Sequence, residues 1–359
     1  MTRSLRVCRR AAVLLTLLLG VSAPAPAQQG DDRARAAEQR ALFASEDTLP
    51  ITLIADFKAV NRDRNPSSTK MFPATLVAPG LRGGEDRIEV RIRTRGHSRR
   101  LAATCAFAPL RVEFVGKVEG TIFDGNKALK LGTHCRDVDS YEQYVYREYA
   151  AYKVFNRITP RSFRARLASA TYVDADDQRP LTTRAGLFLE DDDDVARRLD
   201  GKSIDLEGMG FAGVDRAAMD EVALFEYMIG NTDMSVFKLH NIKLVRASNG
   251  AVYPVPYDFD YSGLVNARYA VPAAALNLST VRERVYRGPC RPLAELTPSL
   301  EKMRGLRDAV LGVYDRVPGL DAGYRRDAKS YLDQFFSTLD KPGAVKKAFI
   351  DSCVKRPTM

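Results

Sequence analysis

The chain has 359 residues, with 55 Lys+Arg against 45 Asp+Glu, and a formal net charge of +10 at pH 7. This length suits one large or two smaller units that each bury a core. Four of the basic residues lie within the first ten positions, and the remaining excess is modest and dispersed, so we expect no nucleic-acid partner.

Residues 1–27 have the pattern of a secretory signal peptide. The basic start MTRSLRVCRR precedes the apolar run AAVLLTLLLGV, and small residues follow up to Ala27. The apolar run is shorter than the roughly 20 residues of a membrane-spanning helix. We therefore expect cleavage after Ala27, a polar lead-in at 28–48, and a secreted or periplasmic protein without a transmembrane anchor.

Four cysteines follow this segment, and in an oxidising compartment they are expected to form disulfides. Three pairings are open from sequence alone. We prefer Cys105–Cys135 and Cys290–Cys353, because each pair lies within one half of the chain. A zinc site that uses His134 and Cys135 is the alternative, which the lack of CxxC spacing disfavours.

Residues 49–190 are predicted to be rich in strands. In RIEVRIRTR, Ile88, Val90 and Ile92 alternate with polar residues and would share one face. A helical period interrupts the strands at 139–158.

Residues 191–359 are predicted to be mainly helical, and the acidic run 191–194 is interpreted as a solvated surface loop. HNIKLVRASNGAVYPVPYDFD predicts a hairpin around its Asn-Gly turn. This division indicates an α+β fold with two lobes.

One carboxylate in the predicted helix is out of place. Glu148 projects into the middle of an apolar stripe formed by Val145, Tyr149, Tyr152 and Phe155. A buried lone ion costs several kcal/mol, so Glu148 needs a cation or a water-filled cleft. The strand NKALKLG offers Lys127 or Lys130, and of the two we prefer Lys130. The alternative is that Glu148 reaches solvent or accepts a hydrogen bond from a tyrosine.

Two segments, GNTDMSVFKLHN at 230–241 and VPYDFD at 255–260, carry the residues of a metal-phosphate site. Mg²⁺ takes hard oxygen ligands, commonly one or two carboxylates plus substrate phosphates. Phosphoryl transfer also needs a carboxylate beside the attacking hydroxyl. Asp233 follows a helix, Asn241 begins one hairpin strand and Asp258 ends the other, so the hairpin should bring Asn241 and Asp258 to one end, facing Asp233.

Over roughly residues 70–265 the order of landmarks resembles the CotH kinase-like family of spore-coat and secreted proteins. FPATLVAPG with IEVRIRTRGHSRR is similar to its strand pair and Arg-x-Arg-Gly-Asn-Ser-like turn, with His97 in place of the Asn. AGLFLEDDDDVARRL is similar to its G-x-Y-x-L-x-E strand. GNTDMSVFKLHN and PYDFDYSG are similar to its catalytic loop and metal-binding segment.

One spacing departs from the pattern of ordinary protein kinases. Asp233 and Asn241 are eight residues apart, where those enzymes have five. Either an insertion lengthens the loop, or His240 rather than Asn241 faces the site.

The resemblance implies a two-lobed protein-kinase-like fold, with a strand-rich N-lobe at 49–190 that holds one inner helix and a helical C-lobe at 191–359. It implies Asp233 as the base or the carboxylate that orients the hydroxyl. It implies metal ligands at Asn241 and Asp258, with Asp260 as an additional candidate. It implies nucleotide-binding residues at Arg95, Ser98, Lys130, Glu148 and Glu190.

We therefore expect an exported, ATP-dependent phosphotransferase that uses Mg²⁺ or Mn²⁺ and acts on a hydroxyl of a protein substrate. Transfer of AMP instead of phosphate stays open. The alternative is a catalytically silent, kinase-like binding or assembly protein. A calcium-stiffened secreted hydrolase ranks third, because the sequence has no nucleophile elbow and no HExxH motif.

Overall fold

A computed structural model describes residues 26–116 and 118–355 of the chain. The prediction of a signal peptide falls almost wholly on residues 1–25, which lie outside the described residues. Among the helices that are described, none combines the length and the apolar character that crossing a membrane requires.

The predicted polar lead-in contains a helix that packs on the rest of the protein. Helix α1 spans Pro26–Glu38, and a single helical turn follows at Ala41–Phe43. Arg164 donates to the carbonyl oxygens of Ala37 and Glu38 at 2.6 and 2.7 Å. A cation is favourable at the carboxyl end of a helix, where carbonyl groups lack partners. The lead-in is therefore fastened to the strands that follow it.

Seven strands form a closed barrel in the order β1-β2-β3-β4-β5-β7-β6. Their bounds are β1 Leu49–Ala55, β2 Phe72–Pro79, β3 Glu85–Thr94, β4 Leu110–Phe114, β5 Ala128–Gly132, β6 Ala165–Asp174 and β7 Pro180–Leu189. A short helix, α2 (Phe57–Arg62), follows β1. The predicted alternation in β3 is confirmed, since Ile88, Val90 and Ile92 are buried in the barrel core.

The prediction of a two-lobed protein-kinase-like fold is wrong. The strands of the first half close into a barrel because β1 pairs antiparallel with β2 and also parallel with β6. The second pairing joins Leu49 to Ala168, 119 positions apart in the chain. Hydrophobic alternation identifies strands but does not say which strands pair, so sequence patterns carried no signal for this closure.

The remaining elements are a small sheet with helices around it. The sheet has the antiparallel order β10-β9-β8, and the predicted hairpin is confirmed as β9 and β10. The strands are β8 Gly201–Ile204, β9 Ile242–Ala247 and β10 Val252–Pro256. The helices are α3 Asp139–Ile158, α4 Asp192–Arg198, α5 Arg216–Ile229, α6 Leu293–Gly305, α7 Arg307–Leu311, α8 Ala322–Leu339 and α9 Pro342–Val345.

Helices α3 and α5 form the core between the barrel and the small sheet. The stripe of α3 is buried, and Phe155 packs on Phe225 of α5 with ring centroids 4.4 Å apart. Helix α5 ends at Gly230, whose φ of 67° is left-handed. A Cβ atom at Gly230 would lie 2.0 Å from Tyr331 Oη, so the loop after α5 requires glycine at its first position.

The predicted disulfides are confirmed as Cys105–Cys135 and Cys290–Cys353. The alternative of a zinc site at Cys135 is wrong, because its sulfur is already bonded. No group of three or more His, Cys, Asp or Glu residues that could hold a metal is found in the described part of the chain. Two disulfides fit a protein of an oxidising, extracytoplasmic compartment.

The Cys290–Cys353 bond should contribute strongly to stability, because it closes a long loop with a sequence separation of 63. Replacing both cysteines by serine should lower the free energy of unfolding by about 4 kcal/mol, since the unfolded chain regains loop entropy. Urea denaturation of the oxidised proteins measures the difference. A reductant opens both disulfides, so the reduced wild type should be no more stable than the variant. A difference below about 1 kcal/mol between the oxidised wild type and the oxidised variant would contradict the prediction.

Candidate functional site

The end of the β9–β10 hairpin brings together the two residues expected to bind metal. The Tyr257 backbone N–H donates to the carbonyl oxygen of Asn241 at 3.0 Å, which sets Asn241 beside the residues that follow β10. Asn241 and Asp258 both have left-handed backbone, with φ of 52° and 66°. Asn and Asp adopt this conformation more readily than other non-glycine residues, and such positions cluster at functional sites.

A hydrogen bond fixes the backbone of Asp258, while its carboxylate has no partner among the described residues. Its N–H donates to Tyr152 Oη of α3 at 2.8 Å. Its side chain is half-buried and makes no hydrogen bond or ion pair with any described residue. A carboxylate held in place in this way is available to a cation from outside the protein.

Glu148 is buried, as its position in the apolar stripe predicted, but its cation is Arg99 and not Lys130. Arg99 Nη1 lies 4.0 Å from Glu148 Oε2 and 3.3 Å from Asp260 Oδ2. Arg99 Nη2 donates to the Thr133 carbonyl oxygen at 2.7 Å. All three ionic side chains are buried, so one guanidinium serves two carboxyl groups.

The surplus of acid around Arg99 is reflected in the pKa values. Burial, together with the charges of Asp260 and Asp258, raises the pKa of Glu148 well above its usual value, against the effect of Arg99. Burial and the charge of Asp258 raise the pKa of Asp260 to about 6. Negative charge is therefore costly here, which is the electrostatic setting in which an added cation is stabilised.

Lys130 pairs with Asp192, the first residue of α4, and Lys243 Nζ lies 3.4 Å from the other oxygen of the same carboxylate. Burial lowers the pKa of Lys130, while the charge of Asp192 opposes this shift. Lys130 Nζ also lies 4.9 Å from the ring centroid of Tyr257, which precedes Asp258. Lys130 and Lys243 thus form a basic pair next to the hairpin end.

The prediction that the acidic run 191–194 is a solvated loop is wrong. It forms the start of α4, where the Asp191 carboxylate accepts the N–H of Asp193 at 3.0 Å. Asp194 is buried and pairs with Arg40 and Arg197 at 2.7 and 2.6 Å. Acidic residues are favoured in the first turn of a helix and basic residues in its last turn, and 191–198 has this order. That pattern could have placed Asp192 at the start of a helix.

Of the other residues expected to bind nucleotide, Glu190 is paired inside the protein, while Arg95 and Ser98 are partly exposed. Glu190 is buried beneath Arg164 and Arg198, which contact its Oε1 at 2.7 and 2.8 Å, so it is already neutralised inside the protein. Arg95 is half-buried, and its side chain makes no hydrogen bond or ion pair with a described residue, although it lies close enough to Glu148 for their charges to interact. Ser98 lies in hydrogen-bonding contact with Tyr261.

The loop between α5 and β9 holds Asp233 in a small network. Asn231 Oδ1 accepts the N–H of Asp233 at 3.0 Å. Asn241 Nδ2 donates to Asp233 Oδ2 at 3.0 Å, and His240 Nε2 lies 3.0 Å from Asp233 Oδ1. An isolated antiparallel β-bridge between Ser235 and His240 closes the residues between them into a small loop, which accounts for the spacing of eight between Asp233 and Asn241. The longer spacing therefore lets both His240 and Asn241 reach Asp233.

Two side chains at the hairpin end have oxygen atoms that could bind a divalent cation. Asp258 offers a free carboxylate, and Asn241 keeps its Oδ1 free because its Nδ2 serves Asp233. Within the described ranges no three acidic, histidine or cysteine side chains converge on one point, so the protein alone would not complete the coordination. Mg²⁺ usually completes its shell with phosphate oxygens and water.

Comparisons with known proteins gave no family for this chain: no family model matches it, and neither does any curated protein.

Beneath the Asp233 loop, α5 carries a carboxyl group that sequence reasoning missed. Glu226 is buried, and neither of its oxygens has a hydrogen-bond partner among the described residues. Burial raises the pKa of Glu226 to about 8, with the neighbouring Asn231 acting in the opposite direction. Glu226 is thus mainly protonated at neutral pH and lies below the asparagine that orients Asp233.

Replacing Glu226 by glutamine should change how stability depends on pH. The folded pKa lies above the unfolded value of 4.5, so the contribution of this group is present at acid pH and is lost as pH rises through about 8. Between pH 5 and pH 8 the wild type should lose roughly 3 kcal/mol more than Glu226→Gln. Urea denaturation at the two pH values measures this, and an equal loss in both proteins would contradict the assigned protonation.

Proposed function

We propose that this protein is an exported phosphotransferase that takes ATP with Mg²⁺ or Mn²⁺ and transfers phosphate to a hydroxyl group of a protein. The observation that carries the proposal is Asp258, whose carboxylate has no partner among the described residues and which is held in left-handed backbone beside two buried acidic side chains. The resemblance of the sequence landmarks to those of the CotH kinase-like family suggested the same activity, and no family model matches the chain. The two-lobed fold of that family is no part of the proposal.

The polyphosphate would lie between Asp258 and the basic side chains of Arg95, Lys130 and Lys243. Arg95 has no protein partner among the described residues. Lys130 pairs with Asp192, and Lys243 lies 3.4 Å from Asp192 and 3.7 Å from Asp205. These cations would offset the charge of the phosphates next to the acidic cluster. A divalent ion bound by Asp258 and Asn241 Oδ1 would neutralise charge that develops on the phosphate oxygens.

Asp233 is the residue we propose to accept or orient the proton of the attacking hydroxyl. Its carboxylate is partly exposed, and hydrogen bonds with His240 and Asn241 fix its orientation. Fixing a carboxylate before the substrate arrives lowers the entropic part of the barrier. Because Asn241 contacts Asp233, the same residue would connect the hydroxyl position with the cation.

Asp260 and Glu148 receive a different role from the one that the sequence suggested. Both face Arg99 and are buried, so we assign them to holding the guanidinium and not to binding metal or nucleotide. The proposal therefore has one cation at Asp258.

A second candidate function is a catalytically silent binding or assembly protein. The observation that favours it is Arg99 itself, which already supplies positive charge to two of the acidic side chains. Such a protein would bind an anion or a protein partner beside Asp258 without transferring phosphate.

Nucleotide binding can be tested with Asp258→Asn, which removes the charge and keeps the side-chain shape. Wild-type protein should bind ATP in the presence of Mn²⁺, and the variant should bind at least tenfold more weakly because the cation loses its charged ligand. Isothermal titration calorimetry gives both affinities. Asp176→Asn, an exposed aspartate in the turn after β6, is the matched control and should bind like the wild type.

Transfer can be tested on the same proteins by mass spectrometry after incubation with ATP and Mn²⁺. The wild type should gain phosphoryl groups on itself or on an added protein, while Asp233→Asn should bind ATP within about twofold of the wild type and show no transfer. Adducts with the mass of AMP would instead assign nucleotidyl transfer. ATP binding without any adduct would favour the silent candidate, and no binding by the wild type would refute the proposal.

A further inference from the structure

Two like charges face each other directly across the small sheet. Lys202 of β8 is paired in register with Arg246 of β9. Both side chains are exposed, and neither forms an ion pair with an acidic side chain in the part of the chain that the structure describes. Like charges at directly opposed positions of an antiparallel pair are destabilising, so this arrangement is unfavourable unless an anion lies between them.

The pair lines a cavity of about 770 Å³ between α1, α4 and the small sheet. Arg33 of α1 and Arg197 of α4 complete its basic lining, and Ala196, Ile204 and Ala247 give it an apolar part. The volume lies in the range of pockets that hold small molecules. Basic side chains from three separate parts of the fold thus surround one space.

The acidic side chains of this cavity do not neutralise the pair. Asp193 lies 3.7 Å from Arg197, and Asp200 accepts a hydrogen bond from Ser248. Arg197 is also paired with Asp194 at 2.6 Å. Lys202, Arg246 and Arg33 are therefore the cations left for a ligand, and the lining as a whole carries more basic than acidic groups.

This cavity is separate from the candidate active site. Arg246 lies four residues beyond Ile242 along β9, which corresponds to about 13 Å in an extended strand. Asn241 and Asp258 lie at one end of the hairpin, and the cavity lies toward its turn. A ligand held here would not compete directly for Asp258.

We propose that this cavity binds a phosphate-bearing small molecule, with the anionic group held by Lys202, Arg246 and Arg33 and the organic part against Ala196, Ile204 and Ala247. Several cations around one space suit a compact group with more than one negative charge and several acceptor oxygens. Asp193 and Asp200 also line the cavity, and their charges disfavour a long polyanion. The inference is independent of the proposed phosphotransferase activity.

The test uses pyrophosphate as the probe and calorimetry at low ionic strength with EDTA, so that no divalent cation can recruit the probe to Asp258. Wild-type protein should bind pyrophosphate, and Lys202→Gln/Arg246→Gln should bind at least tenfold more weakly. Lys58→Gln/Arg87→Gln removes two exposed cations elsewhere and should bind like the wild type. Asp258→Asn should also bind normally, which separates this site from the proposed active site.

A thermal melt without anion excludes unfolding as the cause of weaker binding. The Lys202→Gln/Arg246→Gln variant should melt at or above the wild-type temperature, because it removes a repulsive pair. Should it melt lower, Arg246→Gln alone replaces it and should still bind at least threefold more weakly. No binding of pyrophosphate by the wild type, or equal binding by wild type and cavity variants, would overturn the proposal.

Discussion

The buried ion group of Arg99, Glu148 and Asp260 is the constraint on which the site depends. Arg99 comes from the turn after β3, Glu148 from α3 and Asp260 from the turn after β10, so one guanidinium joins the barrel, the central helix and the hairpin. Burying ions costs several kcal/mol each, and this cost is offset only if the geometry is kept. The group thereby fixes Asp260, two residues after Asp258, whose own N–H donates to Tyr152 Oη.

The charge balance of this group decides what Asp258 can do. One arginine faces two carboxyl groups, and the pKa values of Glu148 and Asp260 are raised by burial and by neighbouring acid. Asp258 is left with no cation of its own among the described residues, while Lys130 and Lys243 lie near the same hairpin end and Arg95 lies within charge range of Glu148. Three acidic side chains around the single cation Arg99, with basic side chains near the same hairpin end, suit a metal-bound polyphosphate.

What the sequence could predict was local, and what it missed was the pairing of distant segments. The helical period identified Glu148 as a buried ion because that argument needs only neighbours within two turns. Its partner lies 49 positions away, and the nearer Lys130 was preferred for lack of any signal for long-range contacts. The strands and the hairpin followed from alternation and turn residues, whereas barrel closure depends on β1 meeting β6. The predicted disulfide pairing was correct because each bond joins two cysteines within one half of the chain.

The position of a bound cation tests this account most directly. Crystals grown with Mn²⁺ and a non-hydrolysable ATP analogue would locate manganese through its anomalous scattering. The account predicts one manganese about 2.1 Å from a carboxylate oxygen of Asp258, shared with phosphate oxygens, with Arg99 still between Glu148 and Asp260. Manganese bound by Glu148 and Asp260 with Arg99 displaced, or the absence of manganese at Asp258, would contradict it.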